Sequence, residues 1–172
     1  MQPLRILAFV FAASLILSEA AEAQHTQGYA FVGGVTIPGE TGYTYWHGNF
    51  VHVGGGAAAG IGKRFTLGGE IGALISTGER FGRNSGVFSV GPGFHFTPRS
   101  ERKLDPFVTG GVSLAVAGGA AGMIYYGGGV NYWLQSRIGL RLEFRDHVWA
   151  RGGTSIHFVG GRIGVSIRPA RP

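Results

Sequence analysis

The stretch IGLRLEFRDHVW, residues 138–149, most constrains what this chain can fold into. Its side chains alternate with a period of two, the mark of a β-strand whose two faces meet different surroundings. Ile138, Leu140, Leu142 and Phe144 share one face, and Arg141, Glu143 and Arg145 share the other. A soluble sheet would turn the aliphatics inward and the charges to water. The other segments argue for the reverse arrangement. In 65–76, Phe65, Leu67, Ile71, Ala73 and Ile75 stand against Thr66, Gly68, Glu70 and Gly72. In 85–96, Phe88, Val90, Phe94 and Phe96 stand against Ser89, Gly91, Gly93 and His95. In 155–167, Val159, Ile163, Val165 and Ile167 stand against Gly160, Arg162, Gly164 and Ser166. An apolar face set repeatedly against a small, glycine-rich or polar one fits a closed barrel turned inside out, with lipid outside and a packed polar interior.

The start of the chain agrees. Arg5, the apolar run ILAFVFAASLIL (6–17) and Ala21-Glu22-Ala23 read as an export signal cleaved after Ala23. The apolar run is shorter than the ~20 residues a spanning helix needs. Residues 24–172 then form one domain. Eight strand-like segments fill it, at 28–37, 50–60, 65–76, 85–96, 106–117, 124–134, 138–148 and 155–167. Each is close to the ~9–11 residues of a tilted membrane strand. The sequence therefore predicts an all-β, eight-stranded, antiparallel up-and-down transmembrane β-barrel. An even strand number puts both termini on the periplasmic side, with turns at 61–64, 97–105 and 135–137. The segments 38–49, 77–84, 118–123 and 149–154 become external. Charged residues make up only 14% of the chain, against about 25% in soluble domains. With no cysteine, disulfides, thiol nucleophiles and lipoprotein attachment are excluded.

PFVTGGVSLAVAGG, then YGGGVNYWLQSRIGLRLEFRDH, then HFVGGRIGVSIRP, resemble the OmpA/OmpX-like outer-membrane β-barrel family. The resemblance runs from Gly28 to Arg168, and its motifs speak to fold more than to activity. It implies an eight-stranded barrel with a narrow lumen filled by side chains, folded by the barrel-assembly machinery. Members of that family usually end on an aromatic residue that this machinery reads. Here the last strand ends at Ile167, followed by Arg168-Pro169-Ala170-Arg171-Pro172.

The candidate functional residues follow from the two faces. Gly54, Gly56, Gly91, Gly93, Gly127, Gly129, Gly160 and Gly164 fall inward, where they leave room for long side chains crossing the lumen. They sit inside strands, not at a strand-to-helix turn, so they are no phosphate loop. Glu70, Arg141, Glu143, Arg145 and Arg162 form an inward charge network, with His52 and His95 on the same face. Buried ions need partners, so the carboxylates are expected between guanidiniums. Two Glu against three Arg leave an excess positive charge for water or an anion to offset. Tyr43, Tyr45, Trp46 and Trp149 are expected at the external rim, and Phe65, Phe96, Phe107, Tyr132 and Trp133 at the periplasmic rim, as interfacial girdles. Tyr43, Tyr45 and Trp46 also make the first external loop a candidate contact surface for an external ligand. Lys63, Arg64, Arg99, Arg102, Lys103, Arg137, Arg168 and Arg171 gather at periplasmic turns and the tail, where anionic headgroups account for them without nucleic acid. The six histidines are scattered, with no metal-ligand spacing, and no cofactor is implied.

One constellation could carry chemistry. Counting back from a loop at 149–154 sets Asp146 opposite His157 on the outward face, with Ser155 two residues away. An Asp–His–Ser set near the outer-leaflet headgroups is the logic of acyl transfer from a lipid ester. The order Ser155-x-His157 departs from the His-x-Ser order of lipid A deacylases, and nothing marks an oxyanion hole. The sequence thus reads as an exported, monomeric, porin-like barrel of the bacterial outer membrane. Its partners are outer-membrane lipids and lipopolysaccharide, and its role is structural or surface-interacting, without catalysis. The alternatives are a lipid-modifying outer-membrane hydrolase and a soluble exported barrel that binds a small ligand.

Overall fold

The computed structural model describes residues 26–38, 48–61, 64–77, 84–96 and 103–169, apart from the side chain of Arg151. Residues 1–25, with the expected export signal and cleavage site, lie outside them, as do Tyr43, Tyr45, Trp46 and residues 170–172. Eight strands run in chain order: β1 (Gln27–Ile37), β2 (Gly48–Ile61), β3 (Phe65–Ser76), β4 (Ser85–His95), β5 (Leu104–Val116), β6 (Ala120–Trp133), β7 (Ile138–Arg151) and β8 (Thr154–Ile167). Each pairs antiparallel with its neighbours, and β1 pairs with β8 to close the barrel. Closure matters because an open edge has no water to satisfy it in a bilayer.

The alternation sorts as the sequence requires. Val90, Leu142, Phe144 and Ile163 are each about half exposed on the outside, while Glu143, Arg145 and Arg162 are buried inside. An apolar exterior around a filled polar interior is the reverse of a soluble ligand-carrying barrel. No helix among the described residues is long and apolar enough to cross a membrane, which says nothing of a β-barrel. At the lower end, where the β4–β5 and β6–β7 connections lie, Phe65, Phe94 and Phe96 form a ladder of edge-on rings outside the wall, with centroids 5.1 and 5.3 Å apart. Phe65, Phe96 and Tyr132 are exposed there as a girdle requires.

Three aromatics expected in the girdles turn inward instead. Phe107 and Trp133 are 3% and 4% exposed, and Trp149 packs on the interior apolar cluster. Strand parity decides this: Phe107 shares a face with Asp105, Trp133 with Asn131, and Trp149 with Arg145 and His147. Each inward ring then has an interior job. Phe107 and Trp133 lie beneath the guanidiniums of Arg141 and Arg168, at 4.0 Å each.

The upper hairpins are tighter than the sequence reading placed them. β7 continues to Arg151, which pairs with Thr154 across Gly152-Gly153. Both glycines have positive φ, 59° and 84°, the backbone of a two-residue hairpin that follows the twist of its strands. β6 likewise begins at Ala120, so only 117–119 connect it to β5. The small or mixed residues at those ends carry no period that marks them as strand.

The lumen can be this narrow because glycines face its large side chains. A Cβ at Gly91 would stand 2.7 Å from the Tyr125 hydroxyl, and one at Gly129 would stand 2.9 Å from the Phe107 ring. Such a barrel has no edge from which detergent can peel it. In SDS without heating it should migrate as a compact species and shift to the unfolded position only on boiling. A single unfolded band at room temperature would contradict the closed sheet.

Candidate functional site

The interior is layered. In the lower layer His95 Nδ1 lies 2.9 Å from Asp105 Oδ1. Asn131 donates to Asp105 Oδ2 at 3.3 Å. Asn131 Oδ1 in turn accepts from Ser166 Oγ at 3.2 Å and Arg141 Nη1 at 3.3 Å. Asp105 was assigned from sequence to a periplasmic turn; it is an inward β5 residue, 2% exposed. Its position beside a long charged segment hid it, though the period of two through Phe107 points to it. Asn131, fully buried, carried no sequence signal beyond its parity.

The middle layer is the charge network, and the structure brings all five of its residues together. Glu143 lies among three guanidiniums. Arg141 Nε donates to its Oε2 at 2.9 Å, and Arg145 Nε to its Oε1 at 2.9 Å. Arg162 Nη2 stands 2.8 Å from Oε2 as an ion pair, without the angle of a hydrogen bond. Glu70 accepts from Arg162 Nη1 at 2.6 Å and from Arg145 Nη1 at 3.1 Å. Tyr29 donates to its Oε2 at 3.2 Å. The third guanidinium has no third carboxylate, and aromatic faces take part of the load. Arg141 lies over Tyr29 and Phe107, Arg145 over Tyr125, and Arg162 over Phe31, at 3.9 to 4.5 Å from the ring centroids. Stacking on rings of negative face potential offsets positive charge without water. The space between Tyr29, Glu70, Tyr125 and Arg145 measures only about 30 Å³, enough for about one or two waters.

Above this, His147 Nδ1 meets Ser113 Oγ at 3.2 Å, and Ser113 meets Ser89 at 2.8 Å. His52 packs edge-on against Phe31. The upper mouth is apolar: Val35, Ile37, Phe50, Leu74, Val87 and Met123 are buried together, with Trp149 and Phe158 packed on them. The chain thus seals its lumen twice, by paired charge in the middle and by a hydrophobic layer above. Among the described residues no group of three His, Asp or Glu side chains could hold a metal.

A second polar cluster sits on the outside of the wall. Asp146 faces outward yet is only 6% exposed. Its Oδ2 accepts from Tyr126 Oη at 2.8 Å and lies 2.7 Å from His157 Nδ1. The structure therefore joins Asp146 to His157, but not in the expected register. Asp146 pairs with Val159, and His157 with Val148. The tight Gly152-Gly153 hairpin moves the ladder by two residues, which keeps both side chains on the same face and makes their contact diagonal. Ser155 pairs with Ala150, one rung above, and no hydrogen bond ties it to His157. Tyr126 is the third member in its place. It sits within the GMIYYGGG segment, where only the register to β7 could reveal it.

Solved structures show the same wall. Neisserial surface protein A shares the fold at a TM-score of 0.65 and 12% identity, over 84% of this chain and 97% of that one. The N-terminal barrel of Pseudomonas aeruginosa OprF matches at 0.60 and 13%, over 84% and 98%. Ail, the attachment invasion locus protein of Yersinia pestis, matches at 0.56 and 10%, over 84% and 99%. The chain has the OmpA/OmpX-like outer-membrane barrel fold. No protein-family model matches its sequence, and no curated protein matches it. At such identities the likeness is in the barrel itself.

The network has a measurable signature. Glu143→Ala leaves three buried guanidiniums short of one carboxylate and should destabilise the barrel by ~3–5 kcal/mol. Arg64→Ala, at an exposed position, should cost ~0–1 kcal/mol. Urea unfolding in detergent micelles compares them, and an equal small effect would show that Glu143 is not held as described.

Proposed function

We propose that this protein is a non-catalytic barrel of the bacterial outer membrane, serving as a sealed, rigid mount for contacts at the cell surface. The doubly closed lumen is the observation that carries the reading. A channel needs a continuous wet path, and here the Arg–Glu layer and the apolar layer at the upper mouth both stand across it. A barrel of ~8 strands is just wide enough to be filled by side chains in this way. Such a body holds loops in place without moving solute.

The lipid hydrolase reading loses its support at the outer cluster. A nucleophile must reach its base, and among the described residues no hydrogen bond joins Ser155 to His157, while Tyr126 takes the third place on Asp146. Surface contact has a parallel among proteins of this fold. Ail is described as an attachment invasion protein, and another of its structures holds the heparin analogue sucrose octasulfate. In this chain the first external loop, with Tyr43, Tyr45 and Trp46, offers the aromatic anchors that contact surfaces favour.

Two measurements test this. The wild-type barrel in planar bilayers should pass no sustained current, and a steady open channel would contradict the seal. Cells displaying the protein should attach to extracellular matrix more than cells lacking it. Replacing Tyr43, Tyr45 and Trp46 by Ala should remove that difference while leaving the SDS-resistant band. Equal attachment by all three strains would remove the surface-contact reading.

A further inference from the structure

The two rims of the barrel differ in charge. At the lower rim, four strand ends repeat one pattern, a basic residue directly beyond the last outward apolar one. Arg64 precedes Phe65 at β3, Lys103 precedes Leu104 at β5, Arg137 precedes Ile138 at β7, and Arg168 follows Ile167 at β8. The four apolar residues are 42–57% exposed on the wall, and Arg64, Lys103 and Arg137 are exposed beside them. Among the described residues the upper ends of the strands carry one basic residue, Arg151. Over the lower segments 61–64, 97–105, 135–137 and 168–172, eight basic residues stand against Glu101 and Asp105. Asp105 is turned into the lumen and held by His95.

Three of these cations gather on one arc of the rim. Trp133 N donates to the Lys103 carbonyl at 2.7 Å and Arg168 N to the Arg137 carbonyl at 2.9 Å, which brings the ends of β5 to β8 to one level. Arg168 reaches back across β7: its Nε donates to the Ser136 carbonyl at 2.7 Å, and its guanidinium lies over Trp133 at 4.0 Å. Its charge therefore stands by the end of β6, between Lys103 on β5 and Arg137 on β7. A cation fixed in this way has already lost much of the side-chain freedom that binding would cost. Lys103 and Arg137 start about 10 Å apart, two strand spacings, and two long side chains can close that gap on one phosphate.

Cations ask for an anion, and their height says which kind. Immediately above them the wall is hydrocarbon, with Leu104 paired to Tyr132 and Ile138 to Ile167. A dissolved polyanion needs no such registration of charge with an apolar belt. An amphiphile with a negative head and acyl tails meets both at once. A zwitterionic head carries an ammonium that three clustered cations repel, so the site selects a net negative one. Both chain ends lie at this rim, since Gly28 pairs with Ile167, and an even-stranded barrel keeps its termini on the periplasmic side. The amphiphile at that level is a phospholipid of the inner leaflet.

We propose that the lower rim of β5 to β8 is a docking site for one anionic phospholipid of the phosphatidylglycerol class. Its phosphate is held by Lys103, Arg137 and Arg168, and its acyl chains lie on Leu104, Tyr132, Ile138 and Ile167. The site is at the opposite end from the surface-contact loop and does not depend on that role.

Native mass spectrometry of the folded barrel tests the site, with release from micelles that contain equimolar dipalmitoyl phosphatidylglycerol and dipalmitoyl phosphatidylethanolamine. The two lipids share chains and phosphate and differ in net headgroup charge. Wild type should retain phosphatidylglycerol at least about tenfold over phosphatidylethanolamine. Lys103→Gln/Arg137→Gln should retain about thirtyfold less phosphatidylglycerol, two contributions of ~1 kcal/mol at ~1.4 kcal/mol per tenfold. Arg80→Gln/Arg83→Gln, in the segment 77–84 expected at the other rim, removes the same net charge and should retain lipid as wild type does. Inorganic phosphate at the same concentration should leave the retained lipid in place, because it offers no acyl chains. An SDS-resistant band for each variant shows that it folds. Equal retention of the two lipids by wild type, an equal loss in both double variants, or displacement by inorganic phosphate overturns the proposal. So does a wild type without lipid preference that sediments with peptidoglycan when Lys103→Gln/Arg137→Gln does not, which assigns the rim to that polymer.

Discussion

The barrel depends on Glu143 being held by Arg141, Arg145 and Arg162 at its centre. A membrane barrel of eight strands encloses too little space for water to solvate ions, and its exterior cannot take them. Charge placed inside must therefore be neutralised by neighbours within hydrogen-bond reach. That requirement sets much else. Long arginines need room, which the facing glycines provide. The excess guanidinium needs a neutral partner of high polarisability, which Tyr29, Phe107, Tyr125 and Phe31 provide. The side-chain amide of Asn131 then passes the hydrogen-bond demand of Arg141 down to Asp105 and His95.

The wall and the lumen solve opposite problems with one chain. Along each strand the residues alternate between hydrocarbon and this polar interior, so every side chain has its solvent fixed by parity. A shift of one residue would reverse both faces at once. This makes the register the most strongly determined quantity in the structure. It also explains how a chain with little sequence likeness to the solved barrels keeps their architecture: any pattern that alternates correctly and fills the lumen will serve.

The same logic separates what could be read in the sequence from what could not. Serial alternation shows eight strands and places Glu70, Arg141, Glu143, Arg145 and Arg162 inward, because charge and hydrocarbon are unambiguous. Aromatics are ambiguous, since a ring suits an interface, a lipid wall or a guanidinium. Phe107, Trp133 and Trp149 were placed at the rim by residue type when parity with Asp105, Asn131 and His147 puts them inside. The strand ends at 120–123 and 149–151 were missed because small or mixed residues carry no period. Gly152-Gly153 did carry a signal, the two-residue hairpin, and reading it would have corrected the β7–β8 register by two. The outer cluster was half legible. Asp146 and His157 share a face in either register, but Tyr126 joins them only once β6 is aligned to β7.

The central claim is that the lumen is stabilised by coupled ion pairs rather than by independent polar contacts. A double-mutant cycle on Glu70→Gln and Arg162→Gln measures it, since these two share the 2.6 Å hydrogen bond and lie 92 residues apart in sequence. Unfolding free energies in detergent should reveal a coupling of about 1–3 kcal/mol, as for residues in one network. Effects that add to within ~0.5 kcal/mol, as for independent sites, would contradict the account.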